Sequence, residues 1–353
     1  MQEILNNFPL QGKIQSITES NSGLINNTYF INCESEKYVL QKINTNVFNK
    51  PEELMKNIDF VINHLKNSGY KTLEIIKNKN GKLFSRHNDE NWRVYKYIES
   101  QNLDKVDNIK IVNECAKELA RFHRSLITFP INKLKESIKD FHNTPVIFKK
   151  FQDTLLNSSN LLIEKSREQI SYILSKQDDC NIISNLLAKN KIPLRVCHYD
   201  PKISNFLFDS NLNALCLIDL DTVMPGTFLT DISDAIRTIC VTGDEQEKEI
   251  SKIHFKDDYF KHFISTYLNQ NIKNLNIYEV KNIINAVDLI FLEQGIRFLD
   301  DYLNGNKYFK VRYKDHNLIR AKNQLYLSKI VSSKKKYLEE IISNTLNKIS
   351  HNL

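Results

Sequence analysis

Apolar and polar residues follow one rhythm over the first hundred positions and another after that. Residues 27–32 (NTYFIN), Lys37–Ile43 (KYVLQKI) and residues 91–98 (NWRVYKYI) have the aromatic and β-branched content of strands. Between the second and third, PEELMKNIDFVINHLKNSG carries Pro51 at its start, acids in its first turn and Gly69 as a stop, which predicts a helix. From residue 106 the period is helical. Residues 106–125 end in ELARFHRSL, and 278–303 and 316–349 are long periodic stretches. Two short apolar runs interrupt this regime. NFLF and ALCLI, separated by the turn-forming DSNLN, predict a hairpin.

That hairpin sits inside the most informative segment, residues 195–221, RVCHYDPKISNFLFDSNLNALCLIDLD. Asp200 follows His198 by two residues, and Asn205 follows Asp200 by five. The second run leads into Asp219. Hairpin closure would bring Asn205, at the start of one strand, near Asp219, at the end of the other. Both would then offer oxygen to one cation, as Mg²⁺ prefers when phosphate and water complete its shell. Asp200, just outside the hairpin, is placed to orient and deprotonate a hydroxyl. Lys202 can reach a transferring phosphate as a point charge. Phosphoryl transfer from ATP needs these groups in this order. Taken singly each is ordinary: H-x-D followed by Asn arises by chance in an Asn-rich chain, and D-x-D after a strand is often a pair of solvated acids.

A chain of 353 residues, 41% hydrophobic and 26% charged, has a globular profile and suits two domains or lobes. The six cysteines form no C-x-x-C pair, so neither a zinc site nor a disulfide framework is expected. Reduced thiols suggest a cytoplasmic protein. The start MQEILNNFPL lacks the pattern of a secretory signal, and no apolar run approaches a bilayer span, so no membrane partner is expected. The net charge of +7 is spread along the chain. Its one dense cluster, SSKKK at 332–336, shares a helix with Glu339 and Glu340 and reads as a solvated face rather than a nucleic-acid site.

The order of these parts resembles the aminoglycoside phosphotransferase-like, or choline-kinase-like, branch of the protein kinase fold. HYDPKISN resembles its catalytic loop, IDLD its metal-binding strand end, and LARFH the large-lobe helix behind the site. Within that branch GLINNTY, YVLQKINTNVF, LIDLDTVMPG and EQGIRFLDDYLNGNKYFKVRYKDHNLIRAKNQ are similar to bacterial N-acetylhexosamine 1-kinases, from about residue 23 to about residue 327. The resemblance implies a bilobal, protein-kinase-like α+β fold. A small β-rich N-lobe would occupy residues 1–98, and a large, mostly helical C-lobe residues 99–353.

It implies roles as well. Adenine of ATP would meet the hinge backbone at Tyr97 and Ile98. SNSGLINNTYF, with Gly23, Asn26 and Asn27, would cover the phosphates, although it is not G-x-G-x-x-G and an ordinary hairpin turn would read the same. Asp200 would be the base, with Lys202 beside it, and Asn205 and Asp219 would hold Mg²⁺. Asp221, Thr222, Arg297 and Tyr308 would contact the sugar, with Glu293 orienting Arg297. His198 and Asp231 would brace the loop. One departure stands out. Where protein kinases carry a strand lysine, YVLQK offers Gln41 or Lys42, and only one of two adjacent strand residues can point at the phosphates.

Aminoglycoside, choline or homoserine kinase activity is the alternative within the fold. The basic stretch VRYKDHNLIRAKNQLYLSKIVSSKKKYLEE argues against a polycationic acceptor. A quaternary amine calls for an aromatic cage, and the single tryptophan, Trp92, lies in the small lobe. A non-catalytic pseudokinase scaffold is the alternative of another class, and the presence of Asp200, Asn205 and Asp219 speaks against it.

Overall fold

The computed structural model describes residues 1–20 and 25–351, so Gly23 lies outside the described residues. An antiparallel sheet dominates the N-terminal part. It contains β1 (Ile14–Glu19), β2 (Asn27–Cys33), β3 (Lys37–Ile43), β4 (Ile75–Ile76), β5 (Ser85–His87) and β6 (Glu90–Lys96). Their order is β1-β2-β3-β6-β4, with β5 also on β6. Strand alternation gives the sheet two unlike faces. Tyr38, Leu40, Trp92 and Val94 turn to one side and bury Ile4, Leu5 and Phe8 around the short helix α1 (Gln2–Leu5). Ile43 and Tyr95 turn to the other and pack with Leu54, Met55 and Ile58 of α2 (Pro51–Asn67).

The chain leaves this lobe after β6. The predicted strand at 91–98 stops at Lys96, and residues 97–100 form the connection. It enters β7 (Gln101–Asn102), which pairs with β9 (Phe206–Phe208). β9 pairs in turn with β10 (Ala214–Leu217), so the expected hairpin exists and is hydrogen-bonded to the end of the hinge. A second small pair joins β8 (Arg195–Cys197) to β11 (Met224–Gly226).

The remainder is helical: α3 (Ile109–Ser125), α4 (Thr144–Asn157), α5 (Asn160–Lys165), α6 (Arg167–Ser175), α7 (Ile182–Ala188), α8 (Phe228–Ile239), α9 (Asp257–Asn271), α10 (Ile277–Lys281), α11 (Ile283–Leu303), α12 (His316–Ser333) and α13 (Lys335–His351). Asn108 caps α3 by accepting from the Ile111 N–H, and Thr227 caps α8 by accepting from the Leu229 N–H. Periodicity missed two breaks. The stretch 278–303 is interrupted at Asn282, whose side chain bonds back to Tyr278 O. The stretch 316–349 is interrupted at Lys334, whose ammonium pairs with Asp257 at 2.7 Å. Among the described residues no helix is long and apolar enough to cross a membrane.

α11 packs against α4, α8 and α12 and is buried along most of its length. Its mid-helix Gly295 has a packing reason, since a Cβ there would lie 2.5 Å from Leu325 Cδ2. Gly295→Ala should therefore destabilise the fold by about 1–3 kcal/mol through overpacking, although alanine is the better helix former by about 1 kcal/mol. In urea titrations, Leu325→Ala should cost less in the Gly295→Ala background than alone. Strict additivity of the two changes would mean that the helices relax apart and the close approach is not needed.

Candidate functional site

A sharp backbone turn after β8 carries the first group of candidate residues. Tyr199 adopts φ +67°, uncommon for a bulky residue, and must be held there. Asp231, in the first turn of α8, holds it. Its Oδ2 accepts from the His198 N–H at 2.7 Å and its Oδ1 from the Tyr199 N–H at 2.8 Å. His123, from the LARFH segment of α3, donates Nε2–H to Asp231 Oδ2 at 2.9 Å and accepts from the Tyr267 hydroxyl at Nδ1, 2.7 Å away. Burial lowers the His123 pKa, consistent with a neutral ring stacked on Phe228. His198 has both ring nitrogens engaged. Its Nδ1 accepts from the Asp200 N–H and its Nε2–H donates to Ile218 O at 2.8 Å, tying the loop to the hairpin. The Tyr199 hydroxyl donates to Pro225 O, and a Cβ on Gly226 would collide with that ring, which explains the glycine in VMPG.

Next on the loop, Asp200 Oδ2 accepts from Lys202 Nζ at 2.5 Å and from Asn205 Nδ2 at 3.2 Å. Asn205 Nδ2 also donates to Asp200 O at 2.8 Å, so the amide oxygen Oδ1 faces away from the loop. Among the described residues neither that oxygen nor Asp200 Oδ1 takes a hydrogen bond. Ile218 N–H donates to Asn205 O at 2.9 Å, which sets Asp219 beside Asn205 as the hairpin predicts. Asp219 has left-handed φ of +62°, and no hydrogen bond reaches its carboxylate among the described residues. Burial and then the Asp221 and Asp200 charges push its pKa up to about 6. Burial alone would lower the Lys202 pKa, but the Asp200 and Asp219 carboxylates more than offset this and hold it above the ordinary value. The oxygens of Asn205 and Asp219, hard donors without protein partners, fit a Mg²⁺ ion that takes its remaining ligands from phosphate and water.

The structure redirects several residues expected at the acceptor. Asp221 is 3% exposed and faces the N-lobe, where Arg93 meets its Oδ1 at 2.6 Å and its Oδ2 at 2.9 Å. Asn26 donates to the same Oδ2 at 2.7 Å, so this asparagine bonds a side chain of the turn after β10. Asn27 lies opposite Lys42 in the strand register. Thr222 donates its hydroxyl to His198 O at 2.7 Å and braces the loop rather than opening toward a ligand. Glu293 does not orient Arg297. Its two oxygens accept from His142 and Thr144, each at 2.6 Å. Burial lowers the His142 pKa, but the Glu293 charge outweighs it and raises the net value.

Arg297 instead stacks on Phe141 and Phe309, 5.0 and 5.9 Å from the ring centres, with no acid partner among the described residues. Tyr308 stands 61% exposed on the neighbouring loop. Asp301 organises that loop by accepting the backbone N–H groups of Lys307, Tyr308 and Phe309 at 2.8–3.0 Å. At the hinge, the Tyr97 N–H donates to Lys37 O, and its ring meets Phe30 on the inner face of the sheet. Ile98 offers its carbonyl to Ser100 Oγ.

Sequence reasoning missed Asp234 as well as Arg93 and Asp301. Asp234 is buried, and its Oδ1 accepts from Arg237 Nε at 2.7 Å while its Oδ2 has no hydrogen-bond partner. Burial, with Asp200 adding to it, raises its pKa. The SDAIR spacing, acid and arginine one helical turn apart, was the available signal, but it reads as a common surface pair. A cavity of about 350 Å³ adjoins the loop behind Tyr199 and is lined in part by Phe141, His142, Thr227 and Glu293. None of Asp200, Asn205 and Asp219 lines it, so it is a chamber next to the candidate chemistry and not its seat.

The Asp219 shift has a consequence for stability. Its native pKa of about 6 lies above the ordinary carboxylate value of about 4, so the charged form burdens the native state above about pH 6, and the burden is relieved as pH falls toward 4. Asp219→Asn should therefore stabilise the metal-free protein at about pH 7.5, on the order of 1–2 kcal/mol because the carboxylate is partly solvated, with the gain vanishing near pH 4. Thermal melts in EDTA at the two pH values test this. An unchanged or lower melting point at about pH 7.5 would refute it.

The model of the family described as "Phosphotransferase enzyme family" matches residues 16–261. Solved structures of the same shape include a microcompartment-associated aminopropanol kinase, with TM-score 0.67 and 12% identity, covering 96% of this chain and 97% of that one. A spectinomycin phosphotransferase with ADP and spectinomycin gives TM-score 0.59 and 16% identity, covering 97% and 96%. Choline kinase from Cryptosporidium parvum gives TM-score 0.60 and 16% identity, covering 94% and 96%. At such identities the structures speak for the bilobal kinase-like fold, while the family match spans well over half of the sequence. The chain belongs to the phosphotransferase enzyme family.

Proposed function

We propose that this phosphotransferase uses ATP and Mg²⁺ to phosphorylate the anomeric hydroxyl of an N-acetylhexosamine. The observation that carries the reading is Arg297, a guanidinium cradled by Phe141 and Phe309 without an acid partner among the described residues, beside the exposed Tyr308. An arginine at helical spacing is usually half of an ion pair. One left free on an aromatic platform suits a neutral, hydrogen-bonding acceptor with an apolar ring face. The likeness of DLDTVMPG and GIRF…DYL…YF to the hexosamine 1-kinases supports the same class.

In this reading Asp200 takes the acceptor proton at Oδ1, the oxygen left open while Oδ2 is held by Lys202 and Asn205. Lys202 reaches the transferring phosphate. Asn205 Oδ1 and Asp219 hold Mg²⁺, which when bound neutralises the phosphate oxygens. Adenine lies against the inner sheet face at Phe30 and Tyr97, meeting the hinge at Ile98. The lone Asp234 Oδ2 accepts an acceptor hydroxyl. An anomeric hydroxyl is more acidic than a ring hydroxyl, so one carboxylate suffices. Asp234 also favours a second reading, a cationic amino alcohol, because its buried Oδ2, left without a hydrogen bond while Arg237 holds Oδ1, is a natural partner for ammonium.

Phosphorylation of a panel of N-acetylhexosamines, amino alcohols and aminoglycosides, with ³¹P and ¹H NMR of the product, separates the two. A 1-phosphate of N-acetylglucosamine or N-acetylgalactosamine is expected. A 6-phosphate, or turnover of amines alone, would defeat the sugar reading. Asp200→Asn should lower kcat roughly 10²–10⁴-fold with ATP binding preserved, and retention of more than about a third of kcat would remove Asp200 as the base. Arg297→Ala should cut kcat/KM for the sugar about tenfold or more, corresponding to a lost charged hydrogen bond of about 1.5–3 kcal/mol, with the KM for ATP little changed.

A further inference from the structure

In protein kinases a β3 lysine pairs with a glutamate on the small-lobe helix, and this pair must form for activity. The two faces of the sheet decide what stands there in this protein. Lys42 points to the outer face and pairs with Glu90 at the end of β6. Gln41 points inward, directly across from Arg93 in the β3–β6 register. The inward cation therefore sits one strand over. Arg93 is 1% exposed, and burying a guanidinium this completely is costly unless every donor is paired.

Its surroundings give every nitrogen a partner. Nε and Nη2 donate to Gln41 Oε1 at 3.0 and 2.8 Å, Nη2 also meets Asp221 Oδ2 at 2.9 Å, and Nη1 meets Asp221 Oδ1 at 2.6 Å and Met55 Sδ at 3.7 Å. A guanidinium has five N–H donors in a fixed fork, and every nitrogen of this one is engaged, by four hydrogen bonds and the Nη1–Asp221 Oδ1 ion pair. No nitrogen is left free for a phosphate. The face of α2 that touches Arg93 presents Met55, while Glu52 is exposed and Glu53 lies off the buried face. The acid partner thus comes from the metal loop, two residues after Asp219.

We infer that Arg93 is a positioning residue: through Asp221 it fixes Asp219 for the metal and bolts the metal loop to the N-lobe sheet, replacing the lysine–glutamate pair of protein kinases. Gln41 serves as its second anchor. Asn26, bonded to Asp221 Oδ2 and accepting from the Asn44 N–H, ties the start of β2 into the same cluster. Lys202 is then the inward cation left to meet phosphate. The inference rests on the proposed metal role of Asp219.

Calorimetry of ADP binding, with Mg²⁺ and separately in EDTA, tests it. For Arg93→Met the affinity for Mg²⁺·ADP should fall about tenfold or more while metal-free ADP binding stays within about twofold. The double variant Q41K/R93M returns a cation to the same face and should recover at least about a third of the lost affinity. Equal weakening with and without metal would mean that Arg93 grips the phosphates directly, and no weakening would mean a purely structural ion pair; either result overturns the inference, as does a Q41K/R93M variant no better than R93M. If R93M does not fold, as judged by circular dichroism, Asp221→Asn keeps the shape and should show the same selective loss, and its absence also overturns the inference. Asp219→Ala is the control. If its Mg²⁺·ADP affinity is unchanged, the metal assignment fails independently of Arg93.

Discussion

The site depends on one buried carboxylate. Asp231 accepts three N–H groups, two from the backbone of the candidate catalytic loop and one from His123 on α3. Without such an acceptor the His198–Tyr199 turn would leave two buried backbone donors unpaired, each a penalty of about 1–3 kcal/mol. Tyr199 would have no reason to stay in left-handed backbone. The acid is itself secured in the first turn of α8, where the helix N-terminus favours negative charge. Through His123 and Tyr267 the same hydrogen-bond chain reaches α9. Three helices thereby meet at one loop, and Asp200 takes its direction from it.

Much of this was legible in the chain. The hairpin could be read because it rests on local rules: two apolar runs, a turn-rich spacer and polar ends. The helix over Pro51–Asn67 could be read for the same reason, with its proline start and glycine stop. The mixed architecture followed from the change of period near residue 106.

What was not legible depends on contacts distant in sequence. Arg93 looks like an ordinary strand residue until β6 is placed beside β3 and the turn carrying Asp221 is folded beneath both, 128 residues away along the chain. Asp221 and Thr222 were expected at the acceptor by resemblance to the hexosamine 1-kinases, but the tight 3₁₀ turn at Leu220–Thr222 sends one toward the N-lobe and the other to the His198 carbonyl. Glu293 lies one helical turn from Arg297 and could have paired with it. His142, from a segment with no sequence signal, reaches Glu293 first. Periodicity likewise carries no record of Asn282 or Lys334, where single side-chain contacts break long helices.

The charges of the cleft explain why the pieces sit as they do. Four carboxylates converge: Asp200, Asp219, Asp221 and Asp234. Three of them have a dedicated cation at 2.5–2.9 Å, namely Lys202 for Asp200, Arg93 for Asp221 and Arg237 for Asp234. Asp219 has none among the described residues, and it is the group whose pKa is pushed up to about 6. A folded protein can hold such an uncompensated acid only at a cost to its stability, and it does so at the end of a hairpin where the oxygen of Asn205 also lacks a partner among the described residues. The imbalance is therefore directional. It leaves one uncompensated negative charge at the site proposed for a divalent cation carrying a nucleotide, and Lys202, Arg93 and Arg237 keep the other carboxylates from competing for that cation.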